Sequence, residues 1–136
     1  MKLALTYVVT EHLQEPCVTT RRYTFQDASV GYEWSYEGPH PDPRYARRKQ
    51  KNAVTRIPEA IVGVILKEQA RLFVDATVER AAGNPRKSSH IDLRLEVDGR
   101  EHHLRVDGPA PDAANPCAVT QAVDAVVAAL DRALRA

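Results

Sequence analysis

Apolar and polar residues alternate along the first part of the chain. Leu3, Leu5, Tyr7 and Val9 interleave with Ala4, Thr6, Val8 and Thr10. Successive side chains leave a strand on opposite faces, so a period of two predicts a β-strand. Residues 17–27 are rich in Thr, Val, Tyr and Phe, which pack well on a pleated surface and predict a second strand. Val30, Tyr32, Trp34 and Tyr36 alternate with Gly31, Glu33, Ser35 and Glu37 and predict a third. The run Gly38-Pro39-His40-Pro41-Asp42-Pro43 then removes backbone donors and favours an extended linker.

Residues 58–82 carry helix punctuation. Pro58 suits the first helical position, Glu59 the positive end of the dipole, and Gly83 a left-handed cap with Pro85 beyond it. Ile61, Val62, Ile65, Leu66, Leu72, Phe73 and Ala76 share one broad helical face. The competing reading is two strands, because Leu72, Val74, Ala76 and Val78 also alternate. Helix is the expectation, since Lys67-Glu68-Gln69-Ala70 makes a poor tight turn. Between 90 and 106, Asp98-Gly99 is a two-residue hairpin signal flanked by alternating segments. Such a loop pairs Val97 with Arg100, Leu95 with His102, Leu93 with Leu104 and Ile91 with Val106, and gathers the apolar residues on one face. Asn115 and Pro116 open a last helix, in which Val119, Val123, Val126, Leu130 and Leu134 form one stripe.

These elements predict an α+β fold with a mainly antiparallel sheet. The sheet consists of an N-terminal three-stranded meander and a later β-hairpin, with two helices packed on one face in the order βββαββα. At 136 residues the expectation is one domain, 1–136, with 38–56 a Pro-rich and then basic linker. No stretch approaches the ~20 apolar residues of a membrane span, and the apolar start at Met1–Val9 lacks a small-residue cleavage site. With only Cys17 and Cys117 there is no disulfide framework. A cytoplasmic location is expected, with no membrane partner.

Charge changes the picture at one place. Arg44, Arg47, Arg48, Lys49, Lys51 and Arg56 fall within thirteen residues that contain no acid, while the whole chain is +1. Removing those six charges leaves −5 on the rest. A mildly acidic body therefore carries one concentrated basic segment, which calls for solvent or an anionic partner. With Tyr45 to stack on a base or ribose, Arg44, Arg47, Arg48, Lys49, Lys51 and Arg56 are the candidate contacts for nucleic acid or an acidic protein. Six phosphate contacts on a duplex would give a log–log salt slope of roughly −5. Tyr32, Trp34 and Tyr36 form an aromatic face that serves either as a stacking platform or as core under a helix. The acids Glu33 and Glu37 opposite favour core.

Catalytic chemistry is weakly signalled. Cys117 falls in the first turn expected of the last helix, where the dipole lowers a thiol pKa, and His102 or His103 would have to supply a base. Adjacent His102 and His103 leave opposite faces of a strand and do not chelate one ion. The six glycines fit neither dinucleotide nor phosphate-loop spacing. No cofactor and no metal are expected. The leading expectation is a non-enzymatic protein-binding or adaptor domain, self-association included. The alternatives are a small RNA- or DNA-binding module using 44–56 and a small cysteine-dependent enzyme.

Overall fold

Alternation builds the N-terminal half of the sheet. The computed structural model describes residues 1–12, 14–26, 29–38, 49–54, 58–80, 83–110 and 118–135. Within them β1 (Lys2–Glu11), β2 (Cys17–Gln26) and β3 (Ser29–Glu37) form the expected antiparallel meander. A further strand, β4 (Lys49–Val54), pairs antiparallel with β3. This corrects the expectation of a linker running to residue 56. Lys, Gln and Asn are poor strand formers, but an edge strand tolerates charge because one side faces solvent.

The segment 58–82 divides. Helix α1 (Pro58–Lys67) and the single turn α2 (Gln69–Leu72) take its first half, and strand β5 (Ala76–Glu79) its second. One continuous helix is thus corrected, and the alternation of Ala76 and Val78 was the stronger signal. The chain leaves helical geometry at Phe73 (φ −87°, ψ 59°). Asp75 Oδ1 then accepts the backbone N–H of His103 at 2.8 Å, which fixes the entry to β5. Strands β6 (Asn84–Val97) and β7 (Arg100–Ala110) form the expected hairpin in the expected register. Asp98 (φ 51°) and Gly99 (φ 77°) both adopt the left-handed geometry that a type I′ turn requires. The last helix, α3, spans Ala118–Arg135.

Among the described residues seven strands lie in the order β4-β3-β2-β1-β6-β7-β5, antiparallel except for β5 against β7. Residues opposite one another in neighbouring strands share a face, so the helix-side face resolves into rows. Leu95, Leu3, Phe25 and Val30 form one row, and Leu104, Leu93, Leu5, Tyr23 and Tyr32 the next. The third row runs Val106, Ile91, Tyr7, Arg21 and Trp34, and the fourth Gly108, Ser89, Val9, Thr19 and Tyr36. Ile61 and Ile65 of α1, Leu72 of α2, and Val123, Val126, Leu130 and Leu134 of α3 are buried with the apolar rows. The core therefore fades into Tyr, Arg, Trp and Ser along one margin. Among the described residues no helix is long and apolar enough to cross a membrane.

Candidate functional site

The third and fourth rows concentrate the polar chemistry of the helix side. Arg21 lies with its guanidinium carbon 4.6 Å from the Tyr7 ring centroid, a cation–π distance. Tyr23 and Tyr32 approach at 5.1 Å with planes tilted by 47°, and Trp34 and Tyr36 stack at 6.4 Å and 15°. The Asp131 carboxylate of α3 acts on the Tyr23 phenol. Burial raises the Tyr7, Tyr23 and Tyr32 phenols, so all three stay protonated at neutral pH. Arg21 opposes that shift at each of them, while Asp124 reinforces it at Tyr7 and Asp131 at Tyr23 and Tyr32.

Two readings that were separate in the sequence meet at this margin. In the β3–β4 register Lys49 stands opposite Trp34 and Lys51 opposite Tyr32. Arg21 stands opposite Trp34 on the other side, in β2. Basic positions thus flank the aromatic face within one sheet. Arg44, Tyr45, Arg47, Arg48 and Arg56 lie outside the described residues, as does Cys117. No known protein-family model and no curated protein matches the chain.

Arg80, just past β5, is the residue that sequence patterning missed. It is buried, and its Nη1 donates to Ser89 Oγ at 2.9 Å and to the carbonyl of Pro109. Its backbone N–H donates to the Asp107 carbonyl at 2.7 Å. Gly108 makes this approach possible. Its φ is +130°, and a Cβ there would sit 2.5 Å from the Arg80 carbonyl oxygen. The Arg80 charge is felt by Tyr7 and by Asp124 of α3. Asp124 keeps part of its surface in water, yet partial burial holds its carboxyl above the usual value of 3.8, against the opposing pull of Arg80 and Arg21. A glycine between Asp107 and Pro109 was the only sequence signal of a close backbone approach.

The opposite face is open and carries a charge network. Asp92 Oδ2 accepts the His103 Nε2–H at 2.9 Å and lies 3.3 Å from Arg105 Nε, while Arg94 Nε is 3.6 Å from Oδ1. His90 pairs with Asp107 across the same two strands, and Arg22 with Glu33 at 3.0 Å. A shallow groove of about 460 Å³ lined by Asp75, Ala76, Thr77, His103 and Arg105 adjoins the network. Its basic side chains, His103 and Arg105, both already contact Asp92. His102 takes the core side, stacked on Phe73 at 5.3 Å, as the hairpin register implied. Among the described residues no three His, Cys, Asp or Glu side chains are grouped to hold a metal ion.

Proposed function

We propose that the chain is a non-enzymatic protein-binding module that takes an acidic, extended segment of its partner along β4. One observation carries the reading. β4 ends the sheet with no further strand beside it among the described residues, and it lies within the basic stretch of an otherwise acidic chain. An edge strand offers a ladder of backbone donors and acceptors to an added strand, and alternate side chains set its specificity. Positive charge at Lys49 and Lys51 selects acids on the incoming segment and disfavours a second β4.

The test is titration of synthetic strand-forming peptides of about ten residues, Thr alternating with either Glu or Lys, into the intact protein. The Glu peptide is expected to bind, weakening as salt rises, and the Lys peptide is not. The double substitution Lys49→Glu with Lys51→Glu is expected to cost about tenfold or more in affinity with an unchanged circular dichroism spectrum. Equal binding of the two peptides overturns the proposal.

The positions of Tyr32 and Trp34 opposite Lys51 and Lys49 favour a second reading, a single-stranded nucleic-acid binder that stacks bases between cations. Absorbance at 260 nm that co-elutes at low salt and strips at high salt would select it. A salt slope of roughly −4 for six contacts on a single strand would support it.

A further inference from the structure

We propose that Arg80 holds a small oxyanion, a carboxylate or a phosphate, on the unpartnered edge of its guanidinium. Arg80 is only 6% exposed, so its charge is largely removed from water. One nitrogen is accounted for, since Nη1 serves Ser89 Oγ and the Pro109 carbonyl. The other two, Nε and Nη2, are buried without a partner. These two nitrogens are not a random pair. Together they form the lateral fork of the guanidinium, two parallel N–H donors at the spacing of the oxygens of a carboxylate or a phosphate. Buried polar groups are otherwise almost always hydrogen-bonded, and a buried charge without a counter-charge is more costly still.

The surroundings fit an anion better than a neutral guest. Arg21, held over the Tyr7 ring, supplies a second positive charge to the same neighbourhood, and the Tyr7 phenol remains a protonated donor. Asp124 is the acid that Arg80 and Arg21 both influence. No ion pair joins it to either arginine among the described residues, so it neutralises the field without filling the fork. Ser89 Oγ and the Pro109 carbonyl hold the guanidinium at Nη1, and the missing Cβ of Gly108 lets the Arg80 backbone come close. The site is independent of the β4 edge, and its test does not depend on peptide binding.

The experiment follows the arginine Nε–H resonances of the intact ¹⁵N-labelled protein by NMR. Inorganic phosphate and sodium acetate are added separately at constant ionic strength against chloride. The Arg80 signal is assigned by its loss in Arg80→Lys, and by its shift in Ser89→Ala should the first variant not fold. A saturable shift of that one resonance is expected. Saturation by phosphate identifies a phosphate-bearing ligand, and saturation by acetate alone a carboxylate-bearing one. Asp124→Asn, which removes the competing negative charge, is expected to tighten binding several-fold. If neither anion moves the Arg80 resonance in the wild type, the proposal is overturned. It is equally overturned if an anion moves that resonance only in Asp124→Asn, because Asp124 is then the occupant of the fork in the wild type.

Discussion

Asp92 shows how one side chain is tuned by opposed forces. Burial pushes its carboxyl up, but the hydrogen bond from His103 and the charges of His103, Arg94 and Arg105 together hold it below the usual 3.8. A folded-state value below the unfolded one means that the ionised carboxylate stabilises the fold. That contribution is complete above pH 3.8 and is lost as pH falls through the lower folded value. Asp92→Asn should therefore melt at a lower temperature than the wild type near neutral pH, with the gap closing as pH drops below about 4. Thermal melts of both proteins across that range check it, and a gap that persists or widens in acid would contradict it. Arg80 is governed by the same physics without the compensation. Lying between Glu79 and Ala81, it looks like any surface arginine of a helix. Its burial follows from where β5 docks, which one-dimensional patterning does not encode.

At the scale of elements, legibility follows how many independent signals agree. In the β6–β7 hairpin the Asp98-Gly99 turn and the alternation on both sides point to one register, and the observed pairs Leu95–His102 and Ile91–Val106 follow it. Residues 58–82 had two periods superimposed, and each won where its tertiary partner lay. Ile61 and Ile65 are buried with the core, while Ala76 and Val78 run alongside Leu104 and Val106. β4 carried no strand signal, because Lys49-Gln50-Lys51-Asn52 is a solvated composition that only an edge accepts. The basic segment itself was visible as charge, but its apposition to the aromatics of β3 exists only through pairing. Helix α1 also holds a residue that its own element does not require. Gly63 is exposed at mid-helix, and nothing lies within 4 Å of a Cβ built on it. Gly63→Ala should stabilise the protein by about 0.5–1 kcal/mol, since alanine loses less backbone entropy in a helix and meets no clash here. A urea titration with an unchanged slope and a higher midpoint is the expected result. A lower midpoint would mean that this face of α1 is covered by something a methyl group displaces.

For the whole molecule, the distribution of charge and the two ends of the sheet decide how it meets other molecules. Among the described residues the sheet stops at β4 on one side and at the four-residue β5 on the other. A short edge limits strand addition, so β4 is the longer available ladder. Two copies joined edge to edge through β4 would run antiparallel about a two-fold axis. Lys49 and Lys51 of one copy would then face the same residues of the other. Like charges directly across a strand pair are destabilising, by roughly 0.2–1 kcal/mol per pair, and such charge on an edge is a known guard against self-association. Replacing both lysines by threonine keeps strand propensity and removes that guard. The double variant Lys49→Thr with Lys51→Thr should therefore gain a concentration-dependent increase in mass by light scattering, and the gain should be insensitive to salt. In the wild type any association through β4 should instead grow as salt screens the repulsion. Identical masses for both proteins across concentration and salt would show that Lys49 and Lys51 do not guard the β4 edge. The choice between an acidic partner and a second copy would then rest on surfaces other than this strand.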